Sequence, residues 1–464
     1  MTNISRRTLL KASAASAVGV AGASAVTSAS AASKKVVIVG GGIGGATAAQ
    51  YLKKMDPSID VTIVEYNKDY YTCFMSNEVI GGHREMESIH FTYGKLEAKG
   101  INVVYDKVTG IDAAGQKVMT AGGKSIAYDR CIVSPGVDFK YEMIEGYSAD
   151  VANSSIPHAW KAGPQTEMLR KQLVDMKDGG TVVICPPGNP FRCPPGPYER
   201  ISQIAAYLKK NKPNSKIVVL DPKEKFSKFG LFMDGWKRHY GYGTDKSLIK
   251  WIKKSEGGTV TKVDVATKTV TCEAGTFKAD VLNIIPFQKA GKIAFDAGLT
   301  NDKGWCPIDH KTFESKIHKN IHIVGDSSVA SPMPKSGYAA NSQAKVCAAA
   351  VASLLNGVEM VEPSWVNTCY SVIAPGDGIS VAMVYAYKDG KIIKTGLFVD
   401  IIGLMVQAGA YPLPPSTGVY YNYPGPRDHD GLLFEDASKN EGIATLALVN
   451  KMINDLSDLN ESGS

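Results

Sequence analysis

The hydrophobic positions of this chain fall into short blocks separated by glycine, proline and charge, and most of the blocks alternate between two periods. Lys35-Val36-Val37-Ile38-Val39 is a near-continuous apolar run, the pattern of a strand covered on both faces. Gly40-Gly41-Gly42-Ile43-Gly44-Gly45 breaks that run, and Ala46 to Leu52 continues with helical spacing. Val61-Thr62-Ile63-Val64 reads as the next strand and ends on Glu65. Further along, Thr181-Val182-Val183-Ile184-Cys185 reads as a strand, Tyr198 to Lys209 as a helix and Lys216 to Leu220 as a strand ending at Asp221. Ile321 to Asp326 is a short buried strand with a Gly-Asp end, and an alanine-rich helix runs from there to about Leu355. Strands alternating with helices predict parallel sheets. The fold class expected is α/β, with two Rossmann-like domains and a C-terminal α+β interface domain.

The first block carries its own chemistry. Gly40-x-Gly42-x-x-Gly45 lies between a strand and a helix, as a dinucleotide site requires: a tight turn, a close backbone approach to a pyrophosphate, and a helix N-terminus that offers free N–H groups to the anion. Glu65, at the end of the following strand, is the carboxylate expected on an adenosine ribose. The middle unit lacks such a turn. Pro186 to Pro197 contains Pro186, Pro187, Pro190, Pro194, Pro195 and Pro197, and proline has no N–H to donate and fills the space a phosphate needs. That turn is expected not to cradle NAD(P).

Composition narrows the class. The chain has 464 residues, 44% hydrophobic and 21% charged, which excludes disorder, collagen and coiled coil. Its net charge is +7, but Arg6, Arg7 and Lys11 lie in an N-terminal segment without acids, so the remainder carries about +4 and shows no basic footprint for nucleic acid. That segment reads as an address: Ser5-Arg6-Arg7-Thr8-Leu9-Leu10-Lys11 is a twin-arginine signature, followed by an Ala/Gly-rich apolar stretch and the exit Ala29-Ser30-Ala31. Export by the twin-arginine route to the periplasm is expected, a route that carries folded proteins and suits a tightly held cofactor. No other apolar run reaches about 18 residues, so no transmembrane helix is expected. None of the eight cysteines forms C-x-x-C or C-x-x-C-H, so no metal site and no haem attachment of the chain's own is expected. Cys131, Cys185, Cys272 and Cys347 read as buried small hydrophobes, and Cys306 has no assignment. Cys193 stands apart because a rigid proline frame holds it in the turn where a nicotinamide would otherwise lie.

Two segments resemble the flavoproteins with two dinucleotide-binding domains: Gly325-Asp326 with Lys335-Ser336-Gly337 ahead of the alanine-rich helix, and Tyr128 to Gly136 as the crossing that closes the first domain. That resemblance implies FAD, held by Gly40, Gly42, Gly45, Glu65, Gly325, Asp326, Lys335, Ser336 and Gly337. Four longer motifs, Tyr70 to Gly82, Pro157 to Thr166, Arg192 to Arg200 and Met333 to Tyr338, resemble the flavin-binding subunit of flavocytochrome c sulfide dehydrogenase, over residues 34 to about 385. The resemblance implies a thioether from Cys73 to the flavin, a redox-active disulfide of Cys193 with Cys369, and an active-site carboxylate at Glu199. As a first-turn helix acid Glu199 equally suits the helix dipole. The resemblance further implies that sulfide opens the disulfide, that the electrons pass to FAD, and that a c-type haem on a separate cytochrome subunit takes them singly. Polysulfide or sulfur is the implied product.

The expected domains are a signal peptide over 1–32, a discontinuous FAD domain over 33–155 and 285–358, a second Rossmann-like domain over 156–284, and an interface domain with tail over 359–464. The C-terminus departs from the family pattern. All five tryptophans precede it, and Gly396 to Ala408 forms an apolar run too short to span a bilayer. Core, a cytochrome-docking surface and a peripheral membrane contact that admits a quinone all remain open for that run. Two rival readings therefore stand beside a sulfide dehydrogenase: a periplasmic sulfide:quinone oxidoreductase, and a non-catalytic electron-transfer or sulfur-carrier subunit.

Overall fold

The fold is taken from a computed structural model of the chain, which describes residues 34–399, with side chains through 396. The signal-peptide segment and the tail beyond 399, including most of the apolar run at 396–408, lie outside the described residues.

Strand β1 (Lys35–Val39), helix α1 (Ile43–Met55) and strand β2 (Asp60–Glu65) form the opening β-α-β unit, followed by the short helix α2 (Ser76–Gly81) and strands β3 (Asn102–Tyr105) and β4 (Arg130–Val133). The second unit holds β5 (Thr181–Cys185), α3 (Gly196–Asn211), β6 (Lys216–Leu220), α4 (Phe229–Tyr240), β7 (Ile249–Ile252) and β8 (Val281–Ile284). The chain then returns with β9 (Ile321–Ile323) and α5 (Gly337–Asn356), and continues into β10 (Ser364–Ala374), β11 (Asp377–Lys388) and β12 (Lys391–Val399).

The first sheet is fully parallel in the order β9-β4-β1-β2-β3, so a strand from after residue 320 completes a sheet begun at residue 35. The second is parallel in the order β7-β6-β5-β8. Between them the two chain crossings pair antiparallel, Val137–Phe139 with Gln288–Ala290. Strands β1 and β4 read as apolar runs because helices cover the sheet: Val36, Val37, Ile38, Cys131, Ile132 and Val133 are buried. Helices α1 and α5 pack on one another through small side chains, Ala46, Ala48 and Ala49 on one and Ala340, Ala344 and Ala348 among the buried residues of the other.

The described part of the C-terminal region is an antiparallel meander, β10-β11-β12, with Ser371 opposite Ile379 and Cys369 opposite Val381. No helix follows α5 among the described residues, and the part of the expected α+β interface domain beyond 399 lies outside them. On β10 Trp365 and Asn367 are buried at alternate positions and burial is continuous from Ser371 to Ala374, where the strand lies on helices α3, α4 and α5.

Candidate active site

The glycine turn after β1 is built for close approach. Gly40 has φ +95, and a Cβ there would meet the Ser134 carbonyl oxygen at 2.5 Å. A Cβ on Gly45 would fall 1.9 Å from the Gly40 carbonyl oxygen. Helix α1 starts after Gly42 with no side-chain cap, which leaves its first N–H groups for an external anion. Glu65 stands at the tip of β2, with Oε2 accepting from the Gly41 N–H at 2.9 Å and Oε1 from the Asn67 N–H at 3.0 Å.

On the other side of the cradle, Ser336 caps α5 by accepting from the Ala339 N–H at 3.0 Å. Lys335 lays its ammonium 3.8 Å over the Trp305 ring and donates to the carbonyls of Asp326 (2.6 Å) and Ser328 (3.0 Å). Burial lowers its pKa to about 8, with Asp326 opposing the shift. Gly325 donates its N–H to Gln343 Oε1 at 2.9 Å. Two buried polar atoms here are left without partners, Asp326 Oδ1 and Arg192 Nε. Burial raises the Asp326 carboxyl, while Arg192 and Lys335 hold it back. Tyr70 is within electrostatic reach of Cys73, Arg192, Asp326 and Glu65, and Arg192 within reach of Cys73, Asp326 and Tyr70. An open glycine turn, an uncapped helix start, an unpartnered carboxylate oxygen and an unpartnered guanidinium nitrogen fit a dinucleotide such as FAD.

Cys73 lies in the loop before α2, with its thiol 3.9 Å from the Trp160 carbonyl oxygen. Trp160 in turn reaches the second cysteine: a Cβ on Gly196 would meet the indole Cη2 at 2.7 Å and the Cys193 Sγ at 2.9 Å, so only glycine opens α3 at this point. Cys193 has a left-handed backbone (φ +54), donates its N–H to the Lys335 carbonyl at 2.6 Å, and packs on Phe139, Trp160, Phe191 and Ile285. Burial raises its thiol well above the ordinary range, with Cys369 and Glu199 adding to the shift and Arg192 and Lys228 opposing it. Cys369 comes from mid-β10, where Asn367 Nδ2 donates to its Sγ at 3.5 Å. All eight cysteines are free thiols here, Cys73, Cys193 and Cys369 partly accessible and the other five buried.

Glu199 is in the first turn of α3, yet its oxygens bind other elements: Oε1 accepts from the Val372 N–H on β10 at 2.9 Å, and Oε2 from Asn77 Nδ2 on α2 at 2.9 Å. Burial raises its carboxyl above the ordinary range despite those two bonds. The next residue, Arg200, is 1% exposed and holds the seam between the units, donating to Asn77 Oδ1 (3.0 Å), Asn283 Oδ1 (2.9 Å) and the carbonyls of His158 (2.7 Å) and Ala159 (2.5 Å).

The second unit's crevice is filled from within. Asp221, where a ribose carboxylate would stand, is fully buried and takes Tyr198 Oη at 2.6 Å, Trp251 Nε1 at 3.1 Å and the Lys223 ammonium at 2.7 Å. Lys223 also donates to the Pro187 carbonyl, and Phe226 stacks on Tyr198 with ring centroids 3.4 Å apart.

The structure thus gathers Cys193, Cys369 and Glu199 at one place, with Cys73 and the cradle of Gly40, Gly42, Gly45, Glu65, Gly325, Asp326, Lys335, Ser336 and Gly337 beside it. Sequence reasoning gave no role to Asn77, Trp160, Arg192, Arg200, Lys228 or Asn367. Asn77, Trp160, Arg192 and Arg200 stand inside the four longer motifs and were open to notice. Lys228, in the charged stretch from Lys223, reads as solvated surface.

Fold and cradle define the class: a flavoprotein oxidoreductase with two dinucleotide-type domains. Residues 34–183 match the pyridine nucleotide-disulphide oxidoreductase family, 166–286 the central domain of the sulfide dehydrogenase (flavocytochrome c) flavoprotein chain, and 361–399 the flavin-binding domain of flavocytochrome c sulphide dehydrogenase. The chain belongs to the flavocytochrome c sulfide dehydrogenase flavoprotein family, among the FAD-dependent sulfide oxidoreductases. A 36-residue stretch is 57% identical to the sulfide dehydrogenase (flavocytochrome c) flavoprotein chain of Chlorobaculum thiosulfatiphilum, covering 8% of this chain and 75% of that sequence. The mitochondrial sulfide:quinone oxidoreductase of Mus musculus is 22% identical over 291 residues, 61% of this chain and 63% of its own length, so the chain spans less than two thirds of that relative. In fold it is similar to the sulfide:quinone oxidoreductase of Aquifex aeolicus, with TM-score 0.62 at 19% identity over 79% of this chain and 87% of that one. Among the described residues no helix is long and apolar enough to cross a membrane, and no cluster of three or more His, Cys, Asp or Glu is placed to hold a metal.

Proposed function

We propose that this protein oxidises sulfide to polysulfide or sulfur in the periplasm through a Cys193–Cys369 disulfide, and passes the electrons by way of FAD to a c-type cytochrome subunit that carries the haem. The observation that carries the reading is the meeting of Cys193, Cys369 and Glu199 beside a cradle whose buried Asp326 Oδ1 and Arg192 Nε lack partners. Hydrosulfide attacks one sulfur of the disulfide; the S–S bond breaks, its electron pair leaves with the other sulfur as a thiolate, and a persulfide forms on the first. In sum, hydrosulfide gives up two electrons and one proton and becomes zero-valent sulfur. Bound FAD supplies a two-electron acceptor that releases its electrons one at a time. Glu199, lifted by burial and pinned by Val372 and Asn77, takes up the proton at its carboxylate. Cys73, with its thiol beside Trp160 and the cradle, provides the covalent link to the flavin. The twin-arginine signature supports export with the cofactor in place.

The test is acid precipitation of the purified protein with peptide mapping, then sulfide oxidation followed with cytochrome c and with a soluble quinone. Flavin retained on the Cys73 peptide and cytochrome c reduction support the reading. Quinone reduction alone turns it toward a sulfide:quinone oxidoreductase, and no turnover with either acceptor leaves a carrier subunit. Glu199→Gln, which keeps the shape and removes the base, is expected to lower kcat by about 10².

A further inference from the structure

Lys228 lies against the thiol pair and has no part in the reading above. It precedes α4 with a left-handed backbone, φ +59, a conformation that residues with a Cβ adopt only at a cost and that clusters at functional sites. Its ammonium donates to the Cys369 carbonyl at 3.0 Å, Ser371 Oγ at 2.8 Å and the Ile379 carbonyl at 3.5 Å. Ser371 and Ile379 face each other across β10 and β11, so the side chain grips the hairpin two residues from Cys369. The two cysteines are held in a matching way: the Cys193 N–H donates to the carbonyl of Lys335, and the Cys369 carbonyl accepts from the ammonium of Lys228.

We propose that Lys228 is a positioning residue that seats Cys369 opposite Cys193 and keeps a positive charge beside the pair, so that the sulfur released when the disulfide opens is stabilised as a thiolate. The proposal rests on the reading of Cys193 and Cys369 as the redox pair. In that step a neutral disulfide and a hydrosulfide ion become a persulfide and a thiolate, so one negative charge moves into the space between turn and strand. The charged groups facing Cys193 are Cys369 and Glu199 on the acidic side and Arg192, Lys228 and the buried Arg200 on the basic side. Arg192 also faces Cys73, Asp326 and Tyr70 on the flavin side. Lys228 is the cation on the side of the strand. A charge that acts on the product of the step more than on the starting disulfide lowers the barrier as well as fixing geometry.

The experiment uses the full flavoprotein. The oxidised protein is first digested without reductant; absence of a Cys193–Cys369 peptide in the unaltered protein overturns the redox-pair reading itself. With that peptide found, the reduced protein is alkylated with iodoacetamide across a pH series, and modification of each cysteine is read by mass spectrometry. Lys228→Met is expected to slow alkylation of the pair about tenfold at neutral pH and to move the profile up by about one pH unit, the equivalent of one pKa unit of lost charge stabilisation. Lys228→Arg is expected to follow the unaltered protein. Lys228→Gln, which keeps a donor for the Cys369 carbonyl, replaces the Met variant if that variant does not fold, and is expected to show the same shift. A profile that stays in place in the neutral variants, or an Arg variant that behaves like them, overturns the proposal and leaves Lys228 a structural tie.

Discussion

The two Rossmann-like units share a parallel sheet and a helix after the first strand, but they treat the space at the strand ends in opposite ways. In the first, Gly40 and Gly45 let backbone pack on backbone where a Cβ would collide, and helix α1 begins without a cap. In the second, Lys223, Tyr198, Phe226 and Trp251 occupy it, and the carboxylate of Asp221 is spent on the chain's own groups. The difference teaches that one sheet architecture can serve as a ligand site or as a rigid mount. The filled unit fixes the proline turn, and the turn fixes Cys193. Function here follows from what fills the crevice, not from the fold alone.

Substitutions are expected to affect the two units unequally. Gly45→Ala should have the largest effect, because its methyl group must find room where the Gly40 carbonyl now stands at 1.9 Å; the purified protein should lack flavin absorbance. Lys223→Met should leave flavin in place but destabilise the chain by about 3–5 kcal/mol, since it strands the buried Asp221 carboxylate without its cation; thermal denaturation reads the loss. A smaller effect comes from the seam between the units, where burial and then Arg200 hold the His158 imidazole down to about 3. An unfolded histidine titrates near 6.5, so the unfolded chain takes up the proton first as pH falls. The contribution is complete above about pH 6.5 and is lost progressively toward pH 3, about 2 kcal/mol by pH 5. The midpoint of thermal unfolding should therefore fall across that window, and His158→Asn should flatten the slope.

Much of this was legible in the sequence wherever the signal is local. The glycine turn, Glu65 at the end of β2 and the proline turn each announce their chemistry within about a dozen residues. Boundaries were less exact. Helix α3 begins at Gly196, before the expected Tyr198, because Pro197 sits at a position where its missing N–H is harmless. Strand β9 stops at Ile323, and the Gly325-Asp326 end forms a turn, with Gly325 at φ +81. Glu199 stands in the first turn of its helix, as the dipole reading expects, and the fold adds what the sequence did not show, that both of its oxygens are committed to β10 and α2. The contacts of Lys228 with Cys369 and of Arg200 with Asn77 join residues more than a hundred positions apart, and no periodicity in a single sequence encodes them.

Strand β10 lies across α3 and α4 of the second unit and α5 of the first, and both units grip it. Many two-domain enzymes admit and enclose their substrates by swinging one domain about a hinge. In this chain such a swing would drag the strand along one of its two seats and carry Cys369 away from Cys193. The architecture has therefore traded hinge motion for a fixed distance between two sulfurs.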